Sequence, residues 1–297
     1  MRDFRFHLAS LIAVFLALGV GMFIGYGVSL SIGVEPLRAQ INAVRRHDNA
    51  VEDENKQLQQ TSVSLGAVQG RLQHEVKRLA ILSISGRLAN RTVALVSVGP
   101  PPAQTLLDSI WNTLYLAGAR RLNETIIRGS LVPPDVADAQ EILSRIHAPP
   151  GEAPADAIAQ ALGQTIATGT DPLLPAALVH RNAALDRVGD YNVRPDLVVL
   201  LSRVESQDRL HALQGGETPE TPLVSAFEAQ NVRVVECESS ASAETAATYF
   251  RRLGVSSVDD VETPEGQVSL VWAALGYAGH YGTRVEADFL LPGITRP

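Results

Sequence analysis

Several side chains able to do chemistry lie together in the segment DDVETPE near the C-terminus. Asp259, Asp260 and Glu262 precede Thr263 and Glu265. Carboxylates at this density could bind a cation, because hard cations take oxygen ligands. The other interpretation is that Thr263 or a neighbour caps a helix that begins here, with Glu265 near its positive end. The position of Thr263 ahead of an apolar segment favours the capping role.

The residues that could bind a transition metal are scattered along the chain. Copper(I) prefers soft thiolate or thioether ligands, and the sequence offers Cys237, Met1 and Met22 for that purpose. A dimer would bring His47 or His74 against its own copy. The histidines show no metal-like spacing to one another: His7, His47, His74, His147, His180, His211 and His280. We therefore identify no cofactor, and the metal ligands stay unknown.

Cys237 is the single cysteine, which excludes an intrachain disulfide and a metal site built from several cysteines. It follows the apolar run Val232–Val235. This position predicts a buried, unreactive thiol.

Motifs for catalysis and for phosphate binding are missing from the sequence. It contains neither a G-x-S-x-G elbow nor an H-E-x-x-H motif. The glycines Gly19, Gly21 and Gly25 lie inside a long apolar run, where no strand-to-helix turn can form. The turn Gly99–Pro102 contains three prolines, which donate no backbone N–H to a phosphate. We expect that the protein is not an enzyme.

The segment Gly276–Pro292 combines closely spaced glycines with aromatic side chains and a histidine. Tyr277, His280 and Tyr281 stand among these glycines, a density typical of a tight loop. The three side chains either pack on the domain or form a loop that faces a partner.

A long apolar element lies at the N-terminus, ahead of most of the residues discussed above. Leu8–Val34 is an apolar run of about 27 residues without Asp, Glu, Lys or Arg, and about 20 helical residues cross a bilayer. The run predicts one transmembrane helix. Small residues recur at every fourth position and predict a face on which two copies pair: Ala13, Ala17, Gly21, Gly25, Ser29 and Gly33.

A seven-residue repeat follows and predicts a coiled-coil stalk. Position d is apolar in seven heptads: Leu37, Val44, Val51, Leu58, Leu65, Leu72 and Leu79. Position a is mostly polar: Ile41, Asp48, Asn55, Ser62, Gln69 and Val76. A buried Asn such as Asn55 favours a two-stranded parallel coil. The alternative is a lone amphipathic helix, because Gly66 and Gly70 weaken a helix interior.

The N-terminal run predicts an uncleaved anchor rather than a signal peptide. Arg2 and Arg5 resemble a signal peptide's charged region, but the run exceeds the 7 to 15 apolar residues of a cleaved signal. The short N-terminal flank favours an orientation with the bulk of the chain outside the cytoplasm.

The net charge of −7 and the missing basic cluster argue against nucleic acid as a partner.

Strand and helix patterns alternate in residues 89–297, which we term the head. Arg91–Val98, Asp196–Ser202 and Val232–Glu236 read as buried strands, and Leu173–Leu185 reads as a helix. This alternation predicts a Rossmann-like α/β domain with a mainly parallel sheet. Ahead of the head, we assign residues 1–34 to the N-terminal flank and transmembrane helix and residues 35–88 to the stalk. A Pro-rich stretch at 148–154 could divide the head into two lobes.

Several segments together resemble one family. These are the opening FRFHLASLIAVFLALGVGMFIGYGV, the heptads, the strand Val93–Val98, the segment Val255–Leu275 (VSSVDDVETPEGQVSLVWAAL) and the ending GHYG…LLP. They resemble the MctB-like copper transporter family, which includes the SteB-type cell-separation proteins. The resemblance covers the chain from end to end.

The resemblance implies a single-pass protein of the inner membrane with its head outside the cytoplasm. In one branch it implies copper transport or homeostasis, with copper as a possible ligand by resemblance only. In the other it implies a partner of an envelope protein that controls cell-wall hydrolases. The heptads independently favour a non-enzymatic, dimeric interaction module, so both functions stay open.

Overall fold

The computed structural model describes residues 3–171, 173–182, 184–284, 287–291 and 294–295. Within these ranges, the side chains of residues 3–5, 28–36, 289–290 and 294–295 are not described. The chain separates into two compact units, Met1–Gln73 and His74–Pro297.

The N-terminal element is one α-helix, α1 (Asp3–Ile84), 82 residues long. Its segment Phe6–Gly27 has 22 residues with a mean hydropathy of 2.4 and is long and apolar enough to cross a membrane. This agrees with the single apolar helix predicted from Leu8–Val34. The part of that run beyond Gly27 lies where side chains are not described.

Helix α1 ends inside the second unit, where its last turns pack on the domain. Ile84 and Leu88 are fully buried, and Gly86 adopts a left-handed conformation (φ +70°) that stops the helix. The Gly86 N–H donates to the Leu116 carbonyl (3.2 Å), and the Leu88 N–H donates to the Ala117 carbonyl (2.7 Å). The helix end is thereby joined to the domain by both packing and backbone hydrogen bonds.

The second unit alternates strands and helices. Its first half contains β1 (Thr92–Val98), α2 (Gln104–Leu116), β2 (Arg120–Ile127), α3 (Val136–Arg145), α4 (Pro154–Thr168), α5 (Leu173–Arg181), β3 (Leu185–Gly189) and β4 (Leu197–Ser202). Its second half contains α6 (Gln207–Gly215), α7 (Glu220–Ala229), β5 (Arg233–Cys237), α8 (Ala247–Arg252), β6 (Ser256–Val258), α9 (Pro264–Leu275), β7 (His280–Tyr281), β8 (Phe289–Leu291) and β9 (Ile294–Thr295).

The strands of the described chain form one nine-stranded sheet in the order β3-β2-β1-β4-β5-β6-β7-β8-β9. Every pairing from β2 to β8 is parallel, and only the outermost pairs, β2–β3 and β8–β9, are antiparallel. The prediction of a mainly parallel sheet is therefore confirmed.

Two hydrophobic cores lie on opposite faces of this sheet, because side chains alternate along each strand. Ala94 and Val96 of β1 join the core that contains residues of α3 to α8. Val93 and Leu95 join the core that contains the end of α1 together with α2 and α9. Helices therefore cover both faces, as a buried parallel sheet requires.

Three parts of the chain differ from the sequence-based expectation. The helix predicted over Leu173–Leu185 ends at Arg181, and Leu185 instead begins β3, a short edge strand. Helix α6 was not predicted, because QDRLHALQG has no clear apolar face. The segment Gly276–Pro292 was expected to be a loop, yet it contributes β7 and β8, which are too short to leave a periodic pattern.

We expect the Ile84→Ala variant to lower the free energy of unfolding by about 2–5 kcal/mol, because a fully buried side chain leaves a cavity. The matched control is Leu82→Ala, where the side chain is 70% exposed and the expected change is below about 0.5 kcal/mol. Chemical unfolding of the full-length protein in detergent measures both. Equal changes in the two variants would contradict the packing described for the end of α1.

Candidate functional site

The two segments that carry the most distinctive sequence motifs meet at the carboxyl ends of β6 and β7. The Asp259 carboxylate, directly after β6, accepts hydrogen bonds from the backbone N–H groups of Thr283 and Arg284, both at 3.0 Å. Gly282 lies against this carboxylate with φ +141°, and a Cβ there would overlap its oxygens. Only glycine meets both requirements, which accounts for its place in the GHYG motif.

Thr263 caps α9, as the sequence predicted. Its hydroxyl accepts a hydrogen bond from the Gly266 N–H (3.0 Å) and donates one to the Asp260 carbonyl (2.9 Å). Glu265 lies in the first turn of the helix, where its charge complements the helix dipole. Gly266 packs directly on Asp260, so the loop is held close to the helix start.

Buried carboxyl groups converge behind this loop. Glu236 at the end of β5 is fully buried, and within the described chain neither of its side-chain oxygens has a hydrogen-bond partner. Glu238 and Asp260 are also buried, and Asp259 is nearly so. Isolated carboxylates in such surroundings are costly, so the neutral, protonated forms are favoured.

The unfavourable burial of these carboxylates raises the pKa values of the acids. Burial raises the pKa of Glu236 well above its usual range, and the nearby charges of Glu238 and Asp259 add to the effect. Burial raises the pKa of Glu238 to about 7. Burial, followed by the charge of Asp259, raises the pKa of Asp260 to about 7. Glu238 and Asp260 consequently change protonation near neutral pH, whereas Glu236 favours its protonated form.

Three side chains, Glu238, Glu262 and Arg284, hold residues 239–246 beside the buried carboxyl groups through hydrogen bonds. The Glu238 carboxylate accepts from the Ala246 N–H, and the Glu262 carboxylate accepts from the Ser240 N–H at 2.9 Å. The Arg284 guanidinium donates to the Ser242 carbonyl. Because the acids are buried, their carboxyl groups have little contact with solvent.

Local sequence pattern does not single out Glu236 and Glu238 as site residues. Glu236 ends the strand predicted to be buried and Glu238 follows shortly after it, where acidic side chains are unexpected. The available signal was the alternation Glu-Cys-Glu, which puts two carboxyls on the same side of a buried strand.

Cys237 lies between the two glutamates, faces the opposite core and is fully buried. Burial raises the pKa of its thiol well above the usual range. The expectation of a buried thiol is confirmed.

The predicted partner loop has one exposed aromatic side chain. Tyr281 is buried, and its hydroxyl donates to the Tyr277 carbonyl (3.0 Å). The His280 Nδ1 shares a hydrogen bond with the Ser257 hydroxyl (2.9 Å). Tyr277 is 52% exposed and meets the Trp272 ring edge-on at 4.9 Å between centroids. A partner would therefore contact Tyr277 rather than the other two side chains.

All residues of the predicted pairing surfaces lie on α1. The apolar side chains at heptad positions a and d are exposed in the single chain: Leu37, Ile41, Val44, Val51, Leu58, Leu65, Leu72, Val76 and Leu79. Asn55 is exposed as well. Of the predicted transmembrane face, Ala13, Ala17, Gly21 and Gly25 are described, whereas Ser29 and Gly33 lie outside the described side chains. Pairing on these surfaces stays a prediction.

Among the residues that the structure describes, no group of three or more His, Cys, Asp or Glu side chains is arranged to hold a metal ion. The buried cluster consists of hard oxygen donors, which do not suit copper(I). The softest ligand, Cys237, lies in the core on the other face of the sheet. The described residues thus do not fit a resident copper ion.

We expect stability to fall as the pH rises from about 5 to 8, because Glu238 has a raised pKa in the folded state and an ordinary one in the unfolded chain. Its contribution is complete below its unfolded pKa and is lost as the pH passes about 7. The Glu238→Gln variant keeps an acceptor for the Ala246 N–H without the charge. At pH 8 it should be more stable than the wild type by roughly 1–3 kcal/mol, and at pH 5 nearly equal.

Unfolding of the full-length protein in detergent at both pH values measures this difference. The control is Glu228→Gln, which changes an exposed carboxylate of α7 and should leave the pH dependence unchanged. Parallel pH profiles for the wild type and the Glu238→Gln variant would show that Glu238 does not titrate in this range.

Comparison with known proteins identifies a family. A family model described as copper transport outer membrane protein, MctB, matches residues 1–292. No curated protein matches the chain.

Proposed function

The chain belongs to the MctB family, and on that basis we propose that it acts in copper transport or homeostasis at the cell envelope. The observation that carries the proposal is the family match over residues 1–292, which includes both the apolar helix and the α/β unit. Copper is the cargo in this proposal, not a resident cofactor.

We propose that the protein assists copper movement without forming the pathway. A route for an ion through a bilayer needs polar or ionisable groups inside the membrane. The candidate span is Phe6–Gly27. Its two ionisable side chains are His7 near its start and Tyr26 near its end. One apolar helix per chain serves as an anchor, and the α/β unit then acts together with another envelope component.

We place the anchor in the cytoplasmic membrane, with the C-terminal unit outside the cytoplasm. The family description says outer membrane. A continuous helix of this hydropathy, however, partitions strongly into the first bilayer that it meets during export. Separation of the two membranes by density should recover the protein with the cytoplasmic membrane, and recovery with the outer membrane would overturn this placement.

A Rossmann-like classification of the head is part of the proposal. The parallel strands follow the order β2-β1-β4-β5-β6-β7-β8, with helices on both faces. Counted among the parallel strands alone, the first five have the order 2-1-3-4-5 of doubly wound domains. The fold alone does not imply catalysis, and the burial of the carboxyl cluster supports a non-enzymatic role.

The second candidate is a dimeric interaction module that binds or regulates another envelope protein. The exposed apolar residues at heptad positions of α1 favour it, because a regular row of such residues in water is usually covered by a second helix. Two anchors inserted with one orientation would deliver parallel chains. The two candidates are compatible, since a dimeric module could also serve copper homeostasis.

For the copper role, we expect cells that lack this protein to show altered growth and altered copper content under copper challenge. Re-expression of the full chain should restore both. As a control, zinc challenge should produce no comparable difference. Unchanged copper content and growth after deletion would remove the copper role and leave the interaction module.

For the dimer, we expect the Leu58→Cys variant in isolated membranes to form a disulfide-linked dimer on mild oxidation. A position d residue meets its own copy across a parallel coil, within the Cα separation that a disulfide allows. The matched control, Gln60→Cys, lies on the outer side of the heptad and should cross-link far less. The native thiol of Cys237 is buried and contributes little background. Equal cross-linking at both positions would contradict the parallel coil.

A further inference from the structure

His47 and Asp48 occupy two special positions in the heptad repeat of α1. Asp48 is the only acidic residue at position a, and His47 precedes it at position g. Position a lies in the seam of a coiled coil, and position g flanks that seam. The other histidine of the repeat, His74, falls at position f, on the outer side. Asp48 is therefore the one carboxylate that the seam of a coiled coil would enclose.

The seam around Asp48 is open in the single chain. Helix α1 runs unbroken through this region, and the d residues on either side, Val44 and Val51, are 58% and 43% exposed. We take a second copy of this chain as the occupant, because the apolar repeat continues through seven heptads in one register. Two copies inserted with the same orientation then face each other with the same residue at every level.

The packing rule of a parallel coiled coil determines what Asp48 would contact. A residue at position a enters a hole formed by four residues of the facing helix: its own counterpart, the residue before that counterpart and the two nearest d residues. For Asp48 these are Asp48, His47, Val44 and Val51 of the second copy. By symmetry, two carboxylates and two imidazoles meet at one level of the seam.

Two facing carboxylates in a seam repel each other, and enclosed charges are normally paired or coordinate a metal ion. Glu52 at position e faces His47 of the second copy and adds negative charge. Within its own chain Glu52 is paired with Lys56 at 2.8 Å, but both side chains are more than 60% exposed, so the pair is weak. Arg45, one turn before Asp48, is exposed too, and a pair with it would offset little of the repulsion.

We propose that two copies of the chain bind one divalent transition-metal ion between them, with His47 and Asp48 of each copy as the ligands. Imidazole and carboxylate groups suit ions such as Zn²⁺, and four of them match its usual coordination number. The set contains no sulfur ligand for copper(I).

The second copy completes this site. In the described part of a single chain, no three His, Cys, Asp or Glu side chains are arranged to hold a metal ion. The inference rests on the dimeric interaction module proposed above and fixes the register of its two helices. Because the ion binds only the paired chains, it stabilises the dimer.

Calorimetric titration of the full-length protein in detergent tests the site, after removal of any purification tag and of bound metal by dialysis against a chelator. We expect one Zn²⁺ ion per two chains, with a dissociation constant of about 1 µM or tighter. Mg²⁺ should bind at least roughly a hundredfold more weakly, because it prefers oxygen ligands. The absence of zinc binding at this affinity, one ion per chain, or equal affinity for Mg²⁺ would each overturn the proposal.

Two variants locate the ion. Asp48→Asn removes the carboxylate and leaves at position a an Asn that a two-stranded coil accepts, so the dimer is kept. His47→Gln removes the imidazole. Each should weaken zinc binding roughly tenfold or more. The matched controls, Asp53→Asn and His74→Gln, change position f and should bind zinc as the wild type does. Wild-type affinity in both site variants would overturn the assignment.

The cross-linking of the Leu58→Cys variant separates failure of the metal site from failure of the dimer. It is measured in membranes with a chelator and again with added Zn²⁺. Cross-linking together with no zinc binding by the wild type overturns the metal site and leaves the dimer. No cross-linking under either condition overturns the parallel dimer, and the metal site with it.

Discussion

The parallel pairing of β1 with β2 on one side and β4 on the other is the interaction on which the rest of the domain depends. These strands are almost entirely buried on both faces, so helices must cover both. That requirement sends the connections after β1 and β4 to opposite faces of the sheet. It also puts the carboxyl ends of all parallel strands, and therefore the loops that follow them, at one edge.

Within the described chain, two polar regions lie at the edge formed by the carboxyl ends of the parallel strands, and they differ in burial and charge. At β1 and β2 the polar groups line an open cavity and include guanidiniums whose charges are balanced by nearby acids. At β5 and β6 the polar groups are carboxyls buried beside residues 239–246, and Glu236 has no partner for either oxygen within the described chain. The first region is open to solvent, whereas the carboxyl groups of the second are buried. Neither supplies the soft ligands that copper(I) prefers.

Much of this fold could be predicted from the sequence, for reasons that differ between elements. Strands such as LVVLLS are continuously apolar because both faces are covered, and the long apolar helix at the N-terminus is recognisable because its run of uncharged residues is unbroken. Thr263 could be recognised as a cap because capping is local chemistry. Edge strand β3 and the two-residue β7 escaped prediction because their pairing depends on distant partners rather than on local pattern.

The sites were harder to anticipate. Glu236 follows two apolar residues of its strand, and nothing local indicates that Asp259 lies nearby in space. The cavity combines residues from β1, the segment after β2, α4 and the α6–α7 region, which are far apart in sequence. The heptad positions of α1 are the opposite case, since their pattern is clear in the sequence while the structure of the single chain leaves them exposed.

The two tryptophans occupy different electronic surroundings. Both indole rings lie under a guanidinium, Trp111 of α2 under Arg121 at 4.7 Å and Trp272 of α9 under Arg87 at 5.2 Å, close to the end of α1. They differ in that the Trp111 N–H also donates to the Glu124 carboxylate at 2.6 Å. A change in fluorescence on separation of the end of α1 from the domain would therefore come from Trp272, whereas Trp111 reports on the packing of α2 against β2.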